Sequence, residues 1–154
     1  MIRKAPLQLQ HANGKQLSSN CVVDDVRIDG YEALTPPAVL SQLLPLSDRS
    51  RQTIVDARHE AADILNGKDD RVLAIVGPCS IHDTEAALEY GMRFRELALE
   101  LRQDVCLIMR AYFEKPRTTV GWKGLINDPY LDGSFQINDG LFIARKLLCD
   151  LVSI

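Results

Sequence analysis

The sequence predicts an α/β fold in which parallel strands alternate with helices. Two short runs, Val72 to Val76 (VLAIV) and Val105 to Met109 (VCLIM), are uniformly apolar, as is typical of strands buried on both faces. Residues 83–102, between them, have the periodicity of an amphipathic helix, and a second apolar stripe runs from Asn138 to about Leu151. The order strand, helix, strand, loop, helix implies parallel strands joined by right-handed crossovers.

The chain divides into three predicted regions. Residues 1–20 are polar and have no periodicity, so we expect a flexible tail. Residues 21–67 are expected to form an N-terminal arm followed by helices. Residues 68–154 contain both predicted strands and the helices that alternate with them, which makes two βα units.

Two helices are predicted before the first strand. Thr35 precedes two prolines, which fits an N-cap followed by proline in the first turn, and this helix would end near Leu44. Ser47 fits the N-cap of a longer helix that reaches about Asn66. Gly67 then stands where a helix C-cap favours glycine.

Composition and charge narrow the classes of function. The 154 residues are 46% hydrophobic, enough for the core of one domain. The net charge of −3 gives no basic footprint, so we expect no nucleic-acid binding. No apolar run approaches the ~18 residues of a membrane helix, and the first residues lack the apolar core of a secretion signal. We therefore expect no membrane association and a cytoplasmic location.

The loop of residues 111–137 carries a cluster of cations. It is far longer than a usual βα connection, and it leaves the carboxyl end of a parallel strand, where α/β proteins bind ligands. Because arginine and lysine bind phosphate and carboxylate groups, the pattern predicts a site for a small anion. A solvated basic loop is the alternative, but a charge beside a buried strand needs a partner, which argues against it. The cluster consists of Arg110, at the end of the second strand, and of Lys115, Arg117 and Lys123 in the loop.

The first strand ends in GPCSIHD (77–83), which places Cys79 at the same edge of the sheet. The thiol is either a small buried hydrophobe or a metal ligand or nucleophile. His82 is a second candidate ligand or a residue at a helix N-terminus, and one Cys-x-x-His pair does not define a metal site. The other cysteines, Cys21, Cys106 and Cys149, are interpreted as structural.

Three further side chains of the long loop have less specific roles. Glu114 and Asp128 either form ion pairs with the loop cations or are solvated. Trp122 is interpreted as a packing anchor for the loop rather than a platform on which a ligand stacks.

GPCSIHD and the stretch MRAYFEKPRTTVGWKGLINDPYLDGSFQINDGL (109–141) closely resemble type I 3-deoxy-D-arabino-heptulosonate 7-phosphate (DAHP) synthases. The resemblance runs from about Asp24 to Asp150. It implies condensation of phosphoenolpyruvate with erythrose 4-phosphate, the first step of the shikimate pathway to the aromatic amino acids. It also implies that the α/β fold is an N-terminal extension plus the first two βα units of a (β/α)8 TIM barrel, with the barrel incomplete.

The same resemblance implies roles for individual residues. Cys79 matches a ligand of the divalent metal ion that the family requires. Arg110 and Lys115 match residues that bind phosphoenolpyruvate, and Lys115 is also expected to be catalytic. The residues that match the erythrose 4-phosphate loop are Lys115, Pro116, Arg117 and Thr118.

The N-terminal arm matches a region that contributes to the dimer interface and to the pocket for a feedback inhibitor. Asp24, Asp25 and Ile28 are its matching residues. The resemblance therefore implies a homo-oligomer that is inhibited by an aromatic amino acid.

A (β/α)8 barrel needs at least about 200 residues. We therefore expect this chain to be a truncated, inactive N-terminal fragment of a DAHP synthase. Two alternatives belong to other classes: a non-catalytic partner subunit of a full-length synthase, and a sugar-phosphate-binding module that uses only the cationic loop.

Overall fold

A computed structural model of the chain describes residue 27 and residues 30–115 and 120–154. The segment Leu34–Ile154 forms one compact unit, separate from Met1–Ala33. The expected tail and the arm residues Asp24, Asp25 and Ile28 lie outside the described residues. Within them, the elements in chain order are α1 (Pro37–Leu43), α2 (Asp48–Leu65), β1 (Val72–Val76), α3 (Thr84–Leu101), β2 (Val105–Met109) and α4 (Ile137–Ser153).

The two strands form a parallel sheet, as the sequence predicts. Their register pairs Val72 with Val105 at one end and Val76 with Met109 at the other. The α/β class is therefore confirmed, while the full barrel stays a prediction because the described residues contain two strands. In the same residues, no helix combines the length and the apolarity needed to cross a membrane.

The prediction that both faces of the strands are buried is wrong for β1. Val72 and Ile75 are 63% and 61% exposed, although β-strand runs this apolar are usually covered. The reason is that, among the described residues, β1 is contacted by one strand, β2, and by one helix, α2, which leaves much of its side-chain surface uncovered.

The ends of α2 follow the predicted capping chemistry. The Ser47 hydroxyl accepts the N–H of Ser50 at 3.0 Å. At the other end, Gly67 has φ of +69° and its N–H donates to the carbonyl of Ile64. The N–H of Lys68 donates to the backbone carbonyl of Asp63. This is the Schellman pattern, so glycine is needed there for its left-handed backbone.

The predicted N-cap role of Thr35 is wrong. Pro36 is the N-cap residue of α1, with extended backbone, and the residue before a proline is kept out of the helical region. Thr35 instead donates its N–H and its hydroxyl to Oδ1 of Asn138, at 2.8 and 3.1 Å. It thus joins the segment before α1 to the first turn of α4.

The core lies where α3 and α4 meet the loops that leave the strands. Leu125 and Leu147, each 2% exposed, are its most buried large side chains. Trp122 packs against this core, which confirms its interpretation as a packing anchor. The other buried members are Ile81, Ala87, Phe113 and Ala144. Ile81 lies in the loop that follows β1, and Phe113 and Leu125 lie in the loop that follows β2. The core itself therefore fixes the position of these two loops.

An ion-pair network closes the opposite, amino end of the sheet. Arg71 Nη2 donates to Glu60 Oε2 at 2.8 Å and to Asp69 Oδ2 at 2.7 Å, and Nη1 donates to the carbonyl of Arg102. The side-chain hydrogen bond from Arg71 lowers the pKa of the Asp69 carboxyl below its usual value. Burial raises the pKa of the nearby Cys106 thiol, which agrees with a structural role for this cysteine.

We expect Asp69→Asn to destabilise the protein in a pH-dependent way. Because the folded-state pKa of Asp69 lies below the unfolded one, its contribution is complete above the unfolded pKa of about 4 and is lost as pH falls through the folded value. The urea midpoint of the variant should lie below that of the parent near neutral pH, and the two should converge at acidic pH. Asp70→Asn, at the exposed neighbouring carboxylate, is the control. A deficit of equal size at both pH values would contradict the assignment.

Candidate anion-binding site

The carboxyl ends of β1 and β2 approach each other unusually closely at Gly77. A Cβ atom at this position would lie 2.2 Å from the carbonyl oxygen of Arg110, so only glycine allows the approach. Just beyond, the N–H of Ile81 donates to the carbonyl of Tyr112 at 2.7 Å. These contacts hold the GPCSIHD segment against the start of the long loop, and so bring Cys79 to Arg110.

Arg110 has partners, as a charge beside a strand requires, and among the described residues none of them is an acidic side chain. Its Nη1 donates to the carbonyls of Pro78 and Cys79, at 2.5 and 2.8 Å. Its Cζ lies 4.5 Å from the centroid of the Tyr112 ring, a cation–π contact. Carbonyls and an aromatic ring orient the guanidinium without cancelling its charge, so the group is fixed in place and still attracts an anion.

Lys115 completes a group of three predicted site residues. Its Nζ lies 3.5 Å from Sγ of Cys79, and Arg110 donates to the carbonyl of the same cysteine. Cys79 is exposed, so the alternative of a small buried hydrophobe does not hold. The structure therefore places one thiol and two cations together at the carboxyl edge of the sheet, where α/β proteins bind ligands.

The cationic loop leaves and returns at a closed base. The N–H of Lys115 donates to the carbonyl of Lys123 at 2.9 Å, and the N–H of Leu125 donates to Phe113 at 2.8 Å. Gly124, with φ of +121°, forms the bridge to Glu114, and a Cβ there would lie 2.0 Å from the carbonyl oxygen of Phe113. The base therefore fixes where the cationic segment begins and ends. Pro116, Arg117 and Thr118 lie outside the described residues.

Asp128 organises the return of the loop to the core. It is buried, both of its carboxylate oxygens accept the N–H of Gly133 at 3.2 Å, and its carbonyl accepts the indole N–H of Trp122 at 2.8 Å. Neither expected role, an ion pair with a loop cation or a solvated carboxylate, describes these contacts. Glu114 is exposed at the loop base, and the exposed His82 ring meets Trp122 edge-on, with centroids 6.3 Å apart.

A divalent metal is implied by the resemblance, and the donor set tests whether the residues fit one. No three metal-binding side chains gather anywhere in residues 30–115 and 120–154. Cys79 supplies a single thiol beside an ammonium group. Since protein metal sites need several ligands, these residues do not form a metal site by themselves.

Sequence reasoning missed Tyr112. Its ring supports Arg110, and its carbonyl accepts the N–H of Ile81. The available signal was that Tyr112 follows Arg110 by two positions, because alternate residues of an extended backbone place their side chains on the same side. The carbonyls of Pro78 and Cys79 were also missed, since any residue type carries that acceptor.

The fold and this site define an α/β protein that gathers cations at the carboxyl ends of parallel strands. Residues 48–153 match the model of the DAHP synthetase I family, and the chain belongs to that family.

Similar proteins agree with this assignment. A tyrosine-inhibited phospho-2-dehydro-3-deoxyheptonate aldolase of Candida albicans is 57% identical over 85% of this chain and 35% of its own length. The Phe-sensitive aldolase of Escherichia coli is 55% identical over 83% of this chain and 37% of its own length. A solved structure of the aldolase from Francisella tularensis superposes with a TM-score of 0.78 at 52% identity, covering 81% of this chain and 37% of that one. The chain thus spans about a third of the length of these relatives.

Two glycines allow a controlled test of the loop base. Gly124 and Gly133 both have positive φ, but a Cβ would clash only at Gly124 and would meet nothing within 4 Å at Gly133. We expect Gly133→Ala to cost about 1–2 kcal/mol of unfolding free energy from backbone strain alone. Gly124→Ala should cost more than about 3 kcal/mol, because a backbone carbonyl must move as well. Urea unfolding measures both, and equal costs would contradict the role given to the loop base.

Proposed function

We propose that this chain forms part of a DAHP synthase, a phospho-2-dehydro-3-deoxyheptonate aldolase that condenses phosphoenolpyruvate with erythrose 4-phosphate and releases phosphate. The observation that carries the proposal is the convergence of Arg110, Lys115 and Cys79 at one edge of the sheet, with Lys115 Nζ 3.5 Å from Cys79 Sγ. Since the chain spans about a third of its relatives, the activity belongs to a protein that contains the remaining sequence as well.

Arg110 and Lys115 bind phosphoenolpyruvate in this proposal. Among the described residues, the hydrogen bonds of Arg110 are donated by Nη1. The Nε–Nη2 edge of the guanidinium is then available for a bidentate contact with a carboxylate or phosphate. Lys115 supplies a compact ammonium with three donors, which suits contact with more than one anionic group.

Erythrose 4-phosphate binds at the cationic segment in the same proposal. Lys115 stands at its base, and the resemblance to the DAHP synthases assigns Pro116, Arg117 and Thr118 to this substrate. The closed loop base supports the assignment, because it fixes Lys115 and Lys123, the described residues on either side of the segment, against each other. Placing cations between two phosphorylated substrates offsets their mutual repulsion and holds them in reacting geometry. Lys115, which contacts both, is the residue we propose as catalytic.

Cys79 is proposed as one ligand of a divalent metal whose other ligands come from outside this chain. The exposure of the thiol at the strand edge supports this role. A bound metal would act as a Lewis acid on the aldehyde of the second substrate. The fold proposal is the corresponding one: an N-terminal extension, with Asp24, Asp25 and Ile28 in an oligomer-forming arm, followed by the first two βα units of a (β/α)8 barrel.

Regulation by an aromatic amino acid is proposed from the names of the relatives. The Candida albicans relative is named as tyrosine-inhibited, and the two Escherichia coli relatives are named as Phe-sensitive and Tyr-sensitive. All three are similar to this chain over at least 83% of it, so the same type of control is proposed for a protein that contains it. A cytoplasmic location stays a prediction from the sequence.

Substrate binding by the 154-residue chain tests the anion site directly. We expect Lys115→Met to weaken the binding of phosphoenolpyruvate at least about tenfold, because a charge-assisted hydrogen bond is lost. Isothermal titration measures the change. Lys68→Met removes an exposed cation at the opposite end of the sheet and should leave the affinity unaltered. Equal affinities for the parent and both variants would remove the main support for the proposal.

Catalysis is tested in the longer Escherichia coli relative, because it includes the sequence that this chain lacks. Replacing the residue that matches Arg110 by alanine should lower kcat/KM at least about 100-fold, since a fixed cation at the reacting anion is lost. We expect no product from the 154-residue chain under the same assay. Product formation by this chain alone would overturn the prediction that its activity requires the remaining sequence.

A further inference from the structure

The ring of Tyr112 lies outside the core, although both of its neighbours in the chain contribute to the core. Phe113 is buried in the core cluster and Ala111 packs against it, whereas the Tyr112 ring is not a member of this cluster. Successive residues of an extended backbone point to opposite sides, so the ring is directed away from the core and against Arg110. Packing of the interior therefore does not explain why this position carries an aromatic ring.

The backbone and the side chain of Tyr112 have separate contacts. Its carbonyl accepts the N–H of Ile81 at 2.7 Å, a bond that a residue of any type can accept. Its ring centroid lies 4.5 Å from Cζ of Arg110. Within residues 30–115 and 120–154, no hydrogen bond of the phenolic hydroxyl is found. The face of the ring is therefore the part of this side chain that contacts the site.

The ring supplies a constraint that the hydrogen bonds of Arg110 do not supply. Both bonds, to the carbonyls of Pro78 and Cys79, are donated by the same nitrogen, Nη1. Bonds from one nitrogen hold one corner of the guanidinium and leave the rest of the group free to swing about that corner. A ring against Cζ stabilises one orientation, because the cation is attracted to the face of the aromatic π system. The Nε–Nη2 edge then stays in place for an anion.

We propose that Tyr112 is a positioning residue: its ring holds the Arg110 guanidinium in the orientation that binds the anion, and it acts on the anion only through Arg110. The inference rests on the proposed function, since it adds a residue to the same anion site. It requires that the ring face matters and that the hydroxyl does not. It also requires that the effect of the ring disappears when the guanidinium is removed.

The first test measures the order of the guanidinium without any ligand. NMR relaxation of the Arg110 Nε–H group reports its motion on the ps–ns timescale, and the loss of its resonance in Arg110→Met identifies it. We expect Tyr112→Phe to keep the order parameter of the parent chain and Tyr112→Leu to lower it. Tyr90→Leu is the control for the same substitution, because the Tyr90 ring stacks on Phe94.

The second test is a double-mutant cycle on the affinity of the 154-residue chain for phosphoenolpyruvate. NMR shifts of the Ile81 and Tyr112 amides follow the titration, so that weak binding is still measured. Tyr112→Leu should weaken binding about fivefold, which corresponds to the loss of one cation–π contact, and Tyr112→Phe should leave it unchanged. In the Arg110→Met background, Tyr112→Leu should weaken binding no further.

The fold of each variant is checked by circular dichroism and urea unfolding. Tyr112→Met provides a second aliphatic variant if Tyr112→Leu loses structure. Because the bond from Ile81 is accepted by the backbone, we expect all three Tyr112 variants to keep it.

The outcomes separate this inference from the proposed function. A parent chain that does not bind phosphoenolpyruvate, or an Arg110→Met variant that binds as tightly as the parent, contradicts the proposed function. The relaxation test still decides whether the ring orders the guanidinium. The inference itself is overturned if Tyr112→Leu leaves Arg110 as ordered as in the parent, or if Tyr112→Phe is impaired as much as Tyr112→Leu. It is also overturned if the loss of affinity persists in the Arg110→Met background, since the ring would then contact the anion directly.

Discussion

The contact between Gly77 and the carbonyl of Arg110 is the constraint on which the rest of the site depends. With no side chain at Gly77, the ends of β1 and β2 come close enough for Arg110 Nη1 to reach the carbonyls of Pro78 and Cys79. Those bonds fix the guanidinium and the cysteine backbone together. Lys115 then reaches the Cys79 thiol from the base of the loop. A larger residue at position 77 would separate the strands at the point where all three groups meet.

The loop and the core support each other through backbone contacts. Gly124 allows the returning part of the loop to lie against Phe113. Asp128 accepts hydrogen bonds from both Trp122 and Gly133. Buried side chains on either side, Phe113 and Leu125, belong to the core cluster. The two residues that flank the cationic segment on the described side, Lys115 and Lys123, are therefore positioned by the packed interior. A rigid loop base of this kind suits a site in which two cations, Arg110 and Lys115, must stay at a fixed separation despite their mutual repulsion.

Strand positions and helix caps were predictable because they depend on local sequence. The uniform apolar runs predicted both strands with their observed ends. Ser47 and Gly67 predicted the ends of α2, since capping needs only neighbouring backbone groups. Thr35 was assigned wrongly because its partner, Asn138, is 103 residues away. The exposure of β1 was also missed, because burial depends on which elements cover a strand, and the strand's own residues do not report this.

The clustering of three predicted site residues could be foreseen from the sequence, but the contacts that hold them could not. Cations and a thiol after parallel strands indicate where a ligand binds, and Cys79, Arg110 and Lys115 do come together. That Arg110 is held by carbonyls and by Tyr112 could not be foreseen, because every residue has a carbonyl and the choice among them depends on the tertiary fold. Asp128 illustrates the same limit. Its carboxylate accepts the backbone N–H of Gly133, and its carbonyl accepts the indole N–H of Trp122, both from its own loop.

The exposed apolar strand and the single thiol have one physical explanation. Val72 and Ile75 expose apolar surface, the β2 edge borders an apolar groove, and Cys79 has no second and third metal-binding side chain nearby among the described residues. Further parallel strands would cover the exposed apolar surface and fill the groove. They would also present new side chains at the edge where Cys79 lies, because the carboxyl ends of parallel strands share one edge. In an α/β sheet the addition that completes the core therefore also completes the site. The stability of the fold and its affinity for an anionic ligand should accordingly increase together when further parallel strands extend the sheet.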